Sequence, residues 1–445
     1  MSKYHLITHG CQMNKNDSQR LAGVLLGIGM EESDKPDDAD LILINTCSVR
    51  KSAEDRVFGK MKNFGKMRKK GKDVILGVTG CMPGRDRDGA LEKKFPMVDL
   101  FFPIEEMVKL PQWLSSINPS LVDSGSYEED YLKIHPIRDE VRQAYVTIQT
   151  GCNKFCTYCV VPFARGFEKN RSVQDILDEI RELAIQGCVE VTLLGQTVNS
   201  FEAIDSDSFS DENPYSNHFA KLLWEVNQIE GIKRLHFTAP HPLHMDDEII
   251  DAMTLPAHLN FLHIPVQAGS DVILRRMNRR HGRQVFIDLI KKIREKIPDI
   301  ALGTDMIVGY CGETEEDFQQ TVDLYKECDF DISYIAQYSA RTGTVGHKAW
   351  DDDVSVEDKK RRWREMQSLM EETVLRKNQK FRDAVVSVLA DTFKSVEGES
   401  EKGWVIGNSR EMKRVQFPGT RDMVGEIHDV KISKPLMWIL YGTKI

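Results

Sequence analysis

The sequence predicts an α/β protein in three parts: an N-terminal parallel-sheet α/β domain, a (β/α)6 partial barrel and a small C-terminal all-β barrel. Three observations carry this reading. Short β-like runs alternate with helical runs through the first hundred residues, six longer strand-helix units follow from Ala144, and short strands with glycine turns close the chain from Val385.

In the first part the β-like runs are Tyr4 to Thr8, Leu41 to Asn45 and Val74 to Val78, separated by helical patterns over Asp17 to Leu26 and Ala53 to Met67. Each strand is followed closely by a cysteine: Cys11, Cys47 and Cys81, the last two within NTC and TGC. Loops at the carboxyl ends of parallel strands share one edge, so cysteines distant in sequence can meet there. Residues 116–140 are polar and acidic with no sustained period and read as a linker after a domain spanning 1–115. The barrel domain, 141–376, runs through strands beginning near Tyr145, Glu190, Arg234, Phe261, Leu302 and Ile332. Its chemistry is expected on the loops after those strands. A charged helix from Val356 to Arg382 leads to the tail, 377–445, whose short strands fit a small closed barrel.

A chain of 445 residues exceeds the roughly 100 to 200 residues usual for one domain, and 41% apolar with 29% charged residues is the balance of a soluble protein with several cores. The longest apolar runs fall far short of the ~20 residues that span a bilayer, so the expected location is the cytoplasm. In that reducing compartment nine cysteines call for metal or catalysis rather than disulfides. The formal net charge of -9 does not itself suggest a nucleic-acid binder, although local patches count for more than the average.

Cys152, Cys156 and Cys159 form C-x3-C-x2-C directly after the first barrel strand. Three thiolates can hold three corners of a four-iron cluster and leave the fourth iron open to another ligand. The competing reading is zinc, which favours four closed ligands. For Cys11, Cys47 and Cys81 the plain reading of each alone is a core cysteine. Their shared placement after successive strands favours a second cluster. Cys188, Cys311 and Cys328 have no mutual spacing and read as ordinary core or loop residues.

The C-x3-C-x2-C loop resembles that of the radical S-adenosylmethionine superfamily. With both trios present, the whole chain resembles its methylthiotransferase family: a three-cysteine domain, a radical domain and a C-terminal TRAM domain. GCQMN at Gly10 to Asn14, NTCSVR at Asn45 to Arg50, CTYCVVP at Cys156 to Pro162, LLGQTVNS at Leu193 to Ser200, APHP at Ala239 to Pro242 and HIPVQAGS at His263 to Ser270 carry the resemblance. They are similar to the branch acting on N6-isopentenyl (dimethylallyl) adenosine beside the tRNA anticodon. Departures are Cys311 in GYCGE where proline is common, TAP at Thr238 to Pro240, and Lys169 and Asn170 in place of a usual VS.

The resemblance implies two 4Fe-4S clusters and S-adenosylmethionine as cofactors. Cosubstrate cleaved at the Cys152/Cys156/Cys159 cluster would yield a 5'-deoxyadenosyl radical that abstracts hydrogen from C2 of the adenine. The Cys11/Cys47/Cys81 cluster would present a methylated sulfur. It further implies cosubstrate contacts at Tyr158, Gly195, Gln196, Thr238, Ile307 and Gly309, an electron donor such as flavodoxin or ferredoxin, a sulfur-donor protein, and a monomer. The TRAM resemblance implies RNA binding, with Arg410, Lys413 and Arg414 the residues to test; from Val385 to Ile445 nine Lys and Arg stand against eight Asp and Glu. Two other basic segments, Arg50 to Lys72 and Arg275 to Arg283, read as solvated faces or as RNA contacts. Rival functions are the same reaction on threonylcarbamoyl adenosine or on a ribosomal-protein aspartate, and an iron-sulfur RNA-binding module without turnover.

Overall fold

The computed structural model describes residues 2–48, 51–123, 128–138, 141–396 and 399–445. Arg50 of the first basic segment and residues 124–127 and 139–140 of the expected linker lie outside them.

Leu41–Thr46 and Ile75–Gly80 are buried at every residue, as continuous apolar runs become when helices cover both faces of a parallel sheet. They form the centre of a five-stranded parallel sheet, ordered Glu31–Glu32, Lys3–His9, Leu41–Thr46, Ile75–Gly80, Leu100–Pro103. One face packs Leu21 and Leu25 of helix Gln12–Gly27, and the other packs Val57, Met61 and Phe64 of helix Lys51–Lys69. His9 pairs in register with Thr46, and Thr46 with Gly80. The three strands that precede cysteines are thus neighbours ending level, and Cys11, Cys47 and Cys81 leave the sheet at one edge. The expected linker segment does not run free: Leu121, Tyr131, Leu132 and Ile134 pack into the core that holds Leu21. Fully buried Arg20 ties this segment down by donating to the carbonyls of Tyr131 (3.1 Å) and Leu132 (3.3 Å).

The second domain is an open barrel of six parallel strands in two groups of three. Gln143–Thr147, Glu190–Leu194 and Arg234–Phe237 form one group; Phe261–His263, Ala301–Val308 and Ile332–Gln337 form the other. A bridge between Leu235 and His258 joins them. The helix expected to separate barrel from tail, observed at Val356–Asn378, buries Met366, Met370 and Val374 in the barrel's own core and so completes its wall.

The tail closes into a five-stranded barrel ordered Val385–Val396, Glu399–Ser409, Arg414–Thr420, Leu440–Lys444, Ile427–Pro435 around Val405, Phe417 and Val430. It is bolted to the larger barrel by Arg234, which donates to the carbonyls of Asn408 (3.3 Å) and Ser409 (3.1 Å). Asn378 donates in turn to those of Leu436 and Met437, each at 2.9 Å. Among the described residues no helix is long and apolar enough to cross a membrane.

Candidate cluster and cosubstrate site

Cys11 caps helix Gln12–Gly27, and its N–H donates to Asn14 Oδ1 at 3.3 Å. Asn14 Nδ2 donates to Asn45 Oδ1 at 3.2 Å, and Asn45 Nδ2 returns a bond to the Asn14 carbonyl at 2.9 Å. Both amides are fully buried, so this exchange fixes the first cysteine loop on the second. The Cys47 N–H donates to the His9 carbonyl at 2.8 Å. Gly80 sits at φ +104°, and a Cβ there would lie 2.3 Å from the Thr46 carbonyl oxygen. Only glycine fits the TGC turn that brings Cys81 beside Cys47. Cys47 and Cys81 are buried and Cys11 is exposed.

In the second trio, Gly151 at φ +73° lets the chain pass Phe167, whose carbonyl oxygen would lie 2.0 Å from an added Cβ. The hairpin of Gln149–Thr150 with Lys169–Asn170 frames the loop. The Cys156–Tyr158 segment is stapled to Arg276–Arg279. Thr157 N–H donates to the Met277 carbonyl (3.1 Å), its hydroxyl to that of Arg276 (2.8 Å), and Asn278 donates to the carbonyls of Lys154 (3.2 Å) and Phe155 (3.1 Å). The sulfurs receive polar company of the kind that tunes a cluster. Thr197 Oγ1 lies 3.3 Å from Cys152 Sγ, Val161 N–H donates to Cys159 Sγ at 3.4 Å, and Arg279 donates to Cys156 Sγ at 3.6 Å and to Tyr158 at 3.5 Å.

Burial pushes the Cys81 and Cys152 thiols up, and it pushes Cys159 up to about 12, with Cys156 adding to the effect. Thiols this reluctant to ionise need a cation to make them ligands, and a bound metal deprotonates a coordinating thiol outright. The donor set of each site, three thiols with no fourth protein ligand in the motif, fits a cluster with an open corner. Cys188 and Cys328 belong to the barrel core and Cys311 to a smaller cluster with Tyr310 and Tyr338.

The two cysteine loops abut. Gly84, in the helix Cys81–Arg85, lies so close to the helix Val161–Ala164 that a Cβ would be 2.1 Å from the Ala164 carbonyl oxygen. Behind them Arg165 pairs with Asp17 at side-chain exposures of 2% and 0%, and the Tyr131 hydroxyl also donates to Asp17. Burial opposes the charge on Arg165, yet Asp17, Cys81 and Tyr131 together hold its pKa well above the ordinary value.

A cavity of about 680 Å³ is lined by Cys11 and Met13, by Gly195 and Thr238 of the strand-end loops, and by Lys413, Arg414 and Trp438 of the small barrel. Two expected cosubstrate contacts, Gly195 and Thr238, therefore share this space with a cysteine of the first trio. Tyr158, Gln196, Ile307 and Gly309 lie outside its lining. Tyr158 and Ile307 pack in one apolar cluster, and Gly309, at φ +71°, is covered by Lys359. Buried polar atoms without protein partners gather around the C-x3-C-x2-C loop: Thr150 Oγ1, Gln196 Oε1, Arg279 Nε and both ring nitrogens of His281. Such orphans suit a small, polar bound molecule.

The sequence reading missed Thr197 and a histidine group, and it counted Arg279 in a solvated or RNA-contacting segment, whereas Arg279 is buried against Cys156. The His241 ring lies 5.9 Å from that of His244 and 6.0 Å from that of His281. Burial, with Arg279 adding, lowers His241 to about 2 and His281 to about 4. His241 stands in APHP, but no spacing in the sequence ties it to His281.

The three cations expected to meet RNA each have a protein partner. Lys413 is buried and paired with Asp331 (3.4 Å). Arg410 donates to the Pro256 carbonyl at 2.8 Å and to the His258 carbonyl, joining the barrels. Arg414 pairs with Asp391.

An open parallel barrel with C-x3-C-x2-C on the loop after its first strand defines a radical S-adenosylmethionine protein. The Radical SAM superfamily model matches residues 146–325, and the model of Uncharacterized protein family UPF0004 matches residues 3–103. A tRNA-2-methylthio-N(6)-dimethylallyladenosine synthase of Clostridium tetani is 38% identical, covering 99% of this chain and 96% of its own length. That of Carboxydothermus hydrogenoformans is also 38% identical, covering 99% of each. The radical S-adenosylmethionine methyltransferase TsrM from Kitasatospora setae shares the fold at TM-score 0.55 and 14% identity, over 78% of this chain and 74% of its own. The chain belongs to the tRNA-2-methylthio-N(6)-dimethylallyladenosine synthase family, whose enzymes use S-adenosylmethionine and 4Fe-4S clusters.

Proposed function

We propose that this enzyme converts N6-isopentenyl adenosine beside the tRNA anticodon to its 2-methylthio derivative. The observation that carries this reading is the shared cavity: one space is lined by Cys11 of the first trio and by Gly195 and Thr238 at the barrel mouth. C2 of adenine bears a hydrogen that no side-chain base removes, so radical chemistry is required. When bound, S-adenosylmethionine and the two clusters supply the radical, the electron and the sulfur.

The chain's own residues position and shield. Cys152, Cys156 and Cys159 hold the cosubstrate-binding cluster, and Cys11, Cys47 and Cys81 hold the second. Arg279, buried against Cys156, offsets negative charge at the first, as Arg165 does beside Cys81 at the second. Tyr158, Gly195, Gln196, Thr238, Ile307 and Gly309 form the cosubstrate side. The imidazoles of His241 and His281, held neutral by burial and by Arg279, add no second positive charge there. Lys413 and Arg414 meet the nucleotide from inside the cavity, and Arg410 holds the small barrel in place. The reading includes a cytoplasmic monomer served by flavodoxin or ferredoxin as electron donor and by a sulfur-donor protein.

The test is anaerobic reconstitution with reductant, S-adenosylmethionine and tRNA bearing N6-isopentenyl adenosine, with mass spectrometry of the digested nucleosides. The expected product is that adenosine plus one methylthio group. Replacing Cys11, Cys47 and Cys81 with alanine should stop product while deoxyadenosine still forms. An unchanged nucleoside from the native protein, with deoxyadenosine released, would overturn the substrate.

A further inference from the structure

Helix Lys51–Lys69 turns Val57, Met61 and Phe64 into the N-terminal core, and the opposite face carries exposed Lys62, Lys66 and Lys69, with Lys70 just beyond its end. Arg56 is exposed and Lys60 half-buried on the flank between. The ion pairs of this element are Glu54 with Arg85 and Arg68 with Asp99. Among the described residues Arg56, Lys60, Lys62, Lys66, Lys69 and Lys70 have no carboxylate partner. That is a concentrated positive face on a chain of net charge -9.

Its position is as telling as its charge. The helix begins four residues after Cys47, whose N–H donates to the His9 carbonyl at 2.8 Å. His9 is two residues from Cys11, which lines the cavity. The stripe therefore starts beside the cavity's Cys11 side and runs outward for about 20 Å from Arg56 to Lys69, at ~1.5 Å per residue. Inside the cavity, Lys413 and Arg414 are paired with Asp331 and Asp391, so the helix adds unpaired cations outside it.

We infer that the outer face of helix Lys51–Lys69 is the phosphate-binding track along which the substrate RNA backbone lies as its target nucleotide enters the cavity. This rests on the tRNA reading above. Lysines without carboxylate partners, mounted on a rigid helix, suit sequence-independent contact with successive phosphates and need no base recognition.

The experiment measures binding of full-length tRNA carrying N6-isopentenyl adenosine to reconstituted native protein and to the Lys62→Ala, Lys66→Ala, Lys69→Ala variant, across a salt series. The replaced side chains are exposed and alanine favours helix, so iron content and helical circular dichroism should be unchanged. The expected result is binding about tenfold to a hundredfold weaker at 0.15 M salt. The slope of log affinity against log salt should also be shallower by about 2 to 3, since each lost phosphate contact removes roughly 0.7 to 0.9. Equal affinity and slope in both proteins would overturn the assignment while leaving the tRNA reading intact. Absence of tRNA binding by the native protein would remove that reading and the track with it. A variant that binds tRNA normally but loses binding of flavodoxin, an acidic protein probe, would make the helix a protein-docking face instead.

Discussion

Replacing Asp17 with asparagine keeps the shape of the side chain and removes its charge. Arg165 then remains in a pocket where it is 2% exposed, with the Tyr131 hydroxyl and Cys81 as its remaining neighbours. Breaking a buried pair by removing one partner costs about 3 to 5 kcal/mol, because the other charge stays desolvated. That is a large part of the roughly 5 to 15 kcal/mol that holds a typical domain folded. Replacing both members, Asp17→Leu with Arg165→Met, should recover most of the loss, since an apolar pair of similar volume avoids the desolvation cost. Urea unfolding of the metal-free protein, followed by far-ultraviolet circular dichroism, measures both. A cost below about 1 kcal/mol for Asp17→Asn, or a double variant no better than the single, would refute the claim that this pair joins the two cysteine-bearing units.

Two further outcomes follow from the geometry. Gly151→Ala would place a Cβ 2.0 Å from the Phe167 carbonyl oxygen in a positive-φ turn, so it should strip iron from the Cys152 loop while sparing the Cys11/Cys47/Cys81 site, which iron analysis after reconstitution would reveal. The histidines predict an acid sensitivity: His281 titrates at about 4 when folded and near 6.5 when unfolded, so its contribution is complete above 6.5 and is lost as pH falls from 6.5 towards 4. At ~1.4 kcal/mol per unit, His281→Phe should lessen the stability lost between pH 6.5 and 5 by about 2 kcal/mol; an unchanged pH profile would show that His281 is already charged in the native state.

Much of the architecture was legible because it is written in short-range pattern. Alternating runs located the main strands of the first sheet and of the open barrel, and a cysteine after each of three strands pointed to one sheet edge. Leu100–Pro103 escaped because a four-residue strand ending in proline has too little pattern, and the hairpin at Gln149 because two-residue strands have none. Partnerships across long separations were not legible. Asp17 and Arg165 stand far apart in sequence, as do Cys156 and Arg279, and nothing local marks either pair. The tail's ion pairs were hidden for the same reason: composition counts Lys413 as a cation but cannot see Asp331 beside it.

The buried Asp17 and Arg165 pair also orders events in time. A nascent chain emerges N-terminus first, and its domains generally fold in that sequence. When the first sheet closes, Arg165 has not yet been synthesised, and Asp17 has at most Tyr131 for company. The edge that carries Cys11, Cys47 and Cys81 is therefore left unfinished until the barrel arrives. The Asp17 and Arg165 pair forms only once the barrel segment carrying Arg165 has joined the first sheet.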